Sequence, residues 1–127
     1  MYKIKFINNN TKQNYTISNI HCAKIFTQRL MGLMGKNNFN GLIFKQKNNN
    51  KLNSSIHTCF MKETIDIIYI NHEMKIQELT TLNPWKLYIP KNEYIKYIIE
   101  LPEKSISNYK LEINTEVVII NEKRNNK

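Results

Sequence analysis

Apolar and polar residues alternate along most of this chain, and the alternation predicts strands more often than helices. Residues 2–7 place Tyr2, Ile4 and Phe6 on one face and lysines on the other. Residues 14–21 alternate again, so the two runs predict a hairpin across the polar turn Asn8 to Gln13. Phe26, Leu30, Leu33 and Met34 recur at helical spacing, with Thr27 as the N-cap and Gly35 as the stop. Gly32 inside that helix costs about 1 kcal/mol against alanine and marks a close backbone contact. A short strand is predicted at 41–45, then a polar loop at 45–55 with three consecutive asparagines. Later strands are predicted at 74–80, 94–101 and 116–121, with a turn at 71–73 and one or two helical turns at 103–109. Pro84 and Pro90 bracket a segment that cannot be helical.

The chain is organised around residues 56–70, where two β-like runs flank Lys62-Glu63-Thr64. In the first, Ile56, Thr58 and Phe60 face one way and His57, Cys59 and Met61 the other. The second is apolar on both faces, the pattern of a buried strand, and Asp66 interrupts it. A carboxylate in such a strand must be paired or hydrogen-bonded. Two readings stand for Asp66: a structural cap for a nearby turn, or a site residue held by a rigid strand.

Length sets the scale. The 127 residues form one domain, 1–127, large enough for one core, with the tail 122–127 expected to be disordered. No apolar run reaches membrane-spanning length, and the charged N-terminus does not resemble a signal peptide; a cytoplasmic protein without a membrane partner is expected. Cys22 and Cys59 are expected to be thiols.

The net charge of +9 raises the question of nucleic acid. The chain carries 20 Asn, 20 Ile and 17 Lys, a bias that A/T-rich coding produces by itself. The lysines are scattered, so no specific nucleic-acid recognition is expected. The same bias makes the exceptions informative. Of two arginines, Arg124 lies in the tail and Arg29 within the helical motif, where a planar fork suits a carboxylate. Asp66 is its first candidate partner and Glu100 the second. The three glycines fall between residues 32 and 41, so asparagine is expected to serve the turns elsewhere.

These blocks resemble a known family. Ala23, Arg29-x-x-Gly32-Leu33-Met34 and Gly41-Leu42-Ile43-Phe44 are followed by Ile56-His57-Thr58-x-Phe60-Met61 and Ile65-Asp66-Ile67-Ile68-Tyr69-Ile70. Asn83-Pro84-Trp85-Lys86 and Lys96-Tyr97-Ile98-Ile99-Glu100-Leu101-Pro102 come next. In this order they resemble the uncharacterised prokaryotic family called domain of unknown function 192, in its archaeal form, over about residues 17–120. Where that family has a glycine after Leu-Pro, this chain has Glu103 or a residue beyond it; its Gly-Asp pair is here Asn114-Thr115-Glu116. The resemblance implies a small β-barrel or β-sandwich with one or two short helices, and no established activity.

Candidate chemistry is sparse. His57, Cys59 and Met61 would present nitrogen, thiolate and thioether on one strand face, but same-face neighbours stand about 6–7 Å apart. No metal and no cofactor is expected. The leading reading is a small-ligand-binding module with a polar pocket lined by Arg29, His57, Thr58, Asp66, Trp85 and Glu100, since these polar residues gather near strand ends beside apolar runs. One rival is a hydrolase-like enzyme using Asp66 or Glu100. Another is a protein- or RNA-interaction module working through the basic surface.

Overall fold

In the computed structural model the described residues are 2–22, 41–46, 55–59 and 63–122. Seven strands form one mixed sheet: β1 (Tyr2–Ile7), β2 (Asn14–Cys22), β3 (Gly41–Lys45), β5 (Ile65–Asn71), β6 (Ile76–Leu82), β8 (Ile95–Pro102) and β9 (Glu116–Asn121). Their order across the sheet is β6-β5-β8-β3-β2-β1-β9, and only β2 and β3 run parallel. The strands β4 (Ile56–His57) and β7 (Leu87–Tyr88) form a separate ribbon, and α1 (Ser105–Asn108) is a single turn of helix.

The expected hairpin of β1 and β2 is present. Its ladder slips where Tyr2 pairs with Ile20 and Ile4 with Ile17, and Asn19 absorbs the bulge at φ 60°. Asn114 likewise takes the left-handed conformation where a glycine was expected, at φ 73°. Asparagine does not serve every such position. Lys12, Met74, Trp85, Tyr94, Lys104 and Lys110 also have positive φ, each at a cost of order 1 kcal/mol. Lys104 stands in for the missing glycine after Leu-Pro.

The mainly-β, single-domain architecture matches the expectation, but the sheet rolls up without closing into a barrel. Its edges, β6 and β9, meet at one end only, through a bridge between Lys75 and Glu116. There the Ile76 and Val117 amides donate to the Thr115 and Met74 carbonyls, each at 2.9 Å. Inside the roll, Ile4, Phe6, Ile20, Ile68, Ile76, Ile99 and Val117 form one core. The other face carries a second core of Leu42, Phe44, Ile65, Ile67, Tyr69 and Ile98, on which Ile56 of β4 packs. The strand β5, flanked by β6 and β8, is buried on both faces, as its largely apolar run requires.

Two local expectations change. The strand from residue 56 ends at His57, because Thr58 turns away to bond residues 83–86. In the proline-bracketed segment, Leu87 and Tyr88 pair with His57 and Ile56. Prolines near each end leave room for an edge strand this short. The predicted helix at 26–34, most of the 45–55 loop, Phe60, Met61 and the tail beyond Glu122 lie outside the described residues. No helix among the described residues is long and apolar enough to cross a membrane.

Candidate functional site

Register separates the two carboxylates. Asp66 pairs with Leu101, whereas Glu100 pairs with Ile67 and Leu42. Residues directly opposite in a sheet share a face, and successive residues alternate. Asp66 therefore points into the rolled core and Glu100 onto the face that β4 and β7 cover. Paired acid–base work by these two residues is not what this geometry offers.

Asp66, 1% exposed, makes the hydrogen bonds of a structural cap. Its Oδ1 accepts the Thr81 hydroxyl at 2.8 Å and its Oδ2 the Ile106 amide at 2.8 Å. The first bond crosses to the paired residue on β6. The second ties down α1, forty residues away in sequence. The turn completes itself: the Ser105 hydroxyl donates to the Pro102 carbonyl at 2.7 Å, and the Leu111 amide reaches the Ile106 carbonyl at 2.9 Å. Arg29, the expected partner of Asp66 or Glu100, lies outside the described residues.

His57, Thr58 and Trp85 are brought together on the β4–β7 ribbon. Thr58 is fully buried and acts as a staple: its Oγ1 donates to the Asn83 carbonyl at 2.5 Å and accepts the Lys86 amide at 2.9 Å. Its carbonyl accepts the Trp85 amide at 2.9 Å. Pro84 and Trp85 form the tip of this turn, with Trp85 at φ 63°, where glycine is usual. Trp85 is 61% exposed. Glu100 is fully buried and lies between Leu42 and Ile67, in the cluster that Ile56 covers.

Sequence reading missed Glu78. It is buried, accepts the Tyr88 hydroxyl and takes the Lys91 amide at 3.0 Å, with Asn92 Nδ2 at 3.3 Å. One carboxylate thus pins residues 88–92 against β6. Burial first, then the hydrogen bond to Glu78, raises the Tyr88 phenol above the usual tyrosine value. The sign follows: the folded state holds the phenol proton more tightly than the unfolded state, so this contribution is complete below about pH 10 and is lost as pH rises. Tyr88→Phe is expected to cost about 1–2 kcal/mol near neutral pH and to flatten the alkaline fall in urea midpoint above about pH 10. A variant that keeps the wild-type alkaline slope would show that the bond is not formed.

A polar concavity is also found among the described residues. A cleft of about 320 Å³ opens between β2, the end of β8 and α1. Thr16, Ser18, Glu103, Ser105, Asn108 and Tyr109 line it over a floor of Ile17, Leu101 and Pro102. Tyr109 is held by an edge-on contact with Tyr15, ring centroids 5.9 Å apart. Of the expected pocket residues, His57, Thr58, Asp66, Trp85 and Glu100 do not line it and Arg29 lies outside the described residues, but Asp66 positions its helical wall through Ile106. The signals available in sequence were only the exposed alternation of β2 and the polar turn at 103–109. Among the described residues, no three His, Cys, Asp or Glu side chains group as a metal site would need, and Cys22 and Cys59 are free.

Fold and site together define a small rolled β-sheet domain with one covered outer face and a polar cleft beside a single-turn helix. The fold is shared by two solved structures whose matches cover more than nine-tenths of this chain. A putative transcription regulator from Sinorhizobium meliloti superposes with a TM-score of 0.75 at 13% identity, over 92% of each chain. A protein of unknown function from Novosphingobium aromaticivorans does so with a TM-score of 0.73 at 10% identity, over 91% of this chain and 83% of that one. At such identities the likeness concerns the fold alone. The chain belongs to the domain of unknown function 192, an uncharacterised family whose model matches residues 7–119. A UPF0127 protein of Pyrococcus furiosus is 36% identical over 74% of this chain and 80% of its own length. One from Pyrococcus horikoshii is 40% identical over 65% and 71% respectively.

Proposed function

We propose that the chain is a binding module for a small, uncharged, polar ligand of the polyol or sugar type, held in the α1 cleft. The observation that carries this is the lining. On a chain of net charge +9, the described residues that line the cleft include no lysine or arginine. Hydroxyls from Thr16 and Ser18, the Asn108 amide and the Tyr109 phenol can both donate and accept hydrogen bonds, and the Ser105 hydroxyl, its proton held by Pro102, can accept one. The Tyr109 ring and the apolar Ile17, Leu101 and Pro102 add a surface for C–H groups. That combination suits vicinal hydroxyls and offers little to a phosphate, which seeks fixed positive charge. Asp66 acts here as a positioning residue and Glu100 has no part in the cleft. The basic surface is read as a solvated lysine coat, not as a recognition face.

The test is calorimetric titration with neutral monosaccharides and polyols, with sugar phosphates and with short RNA and DNA at physiological salt. Neutral ligands are expected to bind, with affinity falling about tenfold in Asn108→Ala, which loses two hydrogen bonds to the ligand. Nucleic acid is expected to bind weakly and to release as salt rises. Preference for the phosphates, tight sequence-dependent nucleic-acid binding, or an Asn108→Ala variant that binds like wild type would each overturn the reading.

A further inference from the structure

β9 is the last strand of the sheet and pairs only with β1 among the described residues, apart from its first residues at the bridge to β6. The Val117 amide donates away from β1, to Met74. By the two-residue repeat, the N–H and C=O groups of Ile119 and Asn121 point the same way, along an edge that carries no neighbouring strand among the described residues. The edge has none of the usual protections: Val117-Val118-Ile119-Ile120-Asn121 contains no charge, no proline and no bulge. Beside it on the outer face, Val118 and Ile120 are 36% and 41% exposed.

We propose that this edge pairs with β9 of a second copy of the chain, antiparallel about a twofold axis through Ile120. The register follows from what is open. Met74 occupies Val117, so an incoming strand can pair only over residues 118–122. Centring on Ile120 sets Ile119 opposite the other copy's Asn121 and Asn121 opposite its Ile119. The four outward amide and carbonyl pairs are then satisfied by four hydrogen bonds, and the two Ile120 side chains meet on the outer face. Charge agrees. Glu122, bonded to Lys3 at 3.1 Å, comes opposite the other copy's Val118, whose β1 neighbour is Lys5. No like charges face each other. Five residues are too few for a flexible foreign peptide, which would lose its conformational freedom for four hydrogen bonds. A second copy brings a strand already ordered by β1, and an edge meeting its own image closes as a dimer.

Sedimentation equilibrium over a concentration series tests this on the full chain. A reversible dimer of twice the 15.2 kDa chain mass is expected. Asn121→Pro removes two of the four hydrogen bonds without touching the β1 ladder, since that amide points outward. Ile120→Lys sets two cations against each other at the axis. Each is expected to weaken dimerisation by about tenfold or more while the fold is kept. In wild type, hydrogen exchange at the Ile119 and Asn121 amides should slow as concentration rises, a readout that needs no variant. A wild-type chain that stays monomeric with concentration-independent exchange at both amides overturns the proposal. So does a dimer that both variants leave intact.

Discussion

Gly41→Ala is expected to be among the most damaging single-methyl changes in this protein, at about 3 kcal/mol or more. A Cβ at that position would stand 2.6 Å from the Glu100 carbonyl oxygen, 2.7 Å from Leu101 Cδ2 and 3.1 Å from Ile20 Cδ1. Side-chain ends can move aside; the carbonyl cannot, because it belongs to β8 in the middle of the sheet. Gly41 opens β3, and β3 joins the hairpin half of the sheet to the β5–β8 half. A shift here therefore misaligns both ladders. Overpacking usually costs about 1–3 kcal/mol, and a rigid backbone obstacle puts this case at the top of that range or beyond. A domain holding roughly 5–15 kcal/mol in total loses a large part of it. Urea denaturation measures the loss; a change below about 1 kcal/mol would show that β3 and β8 do not approach so closely.

Asp66→Ala is expected to cost about 3 kcal/mol, and Asp66→Asn about 2. The alanine leaves the half-buried Ile106 amide and the Thr81 hydroxyl without their buried acceptor, and hydrogen bonds to a charged group are worth about 1.5–3 kcal/mol each. The asparagine keeps one acceptor oxygen and turns an NH₂ toward one of two donors. Thr81→Val removes one bond from an exposed residue and should cost about 1 kcal/mol. The effects should also differ in place. Hydrogen exchange at Ile106 is expected to rise in both Asp66 variants and to stay near wild type in Thr81→Val. If exchange at Ile106 is unchanged in Asp66→Ala, the carboxylate does not hold α1, and the cleft has lost its anchor.

Much of the fold is legible because strand alternation reports directly on burial. β1, β2, β5, β8 and β9 lie where their apolar residues fall at every second position or without interruption. The anomaly at Asp66 was equally legible, since a carboxylate in a buried apolar run demands an explanation. Its partner was not, because a backbone amide carries no residue-type signal and Ile106 looks like any apolar residue. Glu78 was harder to read: Glu78, Thr80 and Leu82 share a face opposite Tyr69, Ile67 and Ile65, but a bulge between Ile76 and Glu78 sends Ile76 to the other face, which simple alternation cannot foresee. Its neighbours Gln77 and Leu79 disguised it as an ordinary polar position. That Asp66 and Glu100 part company could not be read, because facing depends on register between strands, and a one-residue slip reverses it. The open roll was hidden for the same reason: closure depends on whether β6 and β9 meet along their length or at one end. The α1 cleft is built by a loop settling across the end of β2, an encounter that no periodicity announces.

The most direct test of the account is a ¹H–¹⁵N NMR titration of the full chain with the tightest-binding neutral sugar or polyol from the calorimetric panel. The account predicts saturable shifts confined to residues 16–18 and 101–109, with the Asn108 side-chain amide among the largest. Shifts centred on residues 57–58 and 83–88, or spread along the lysine-rich surface with no response at 101–109, would contradict it.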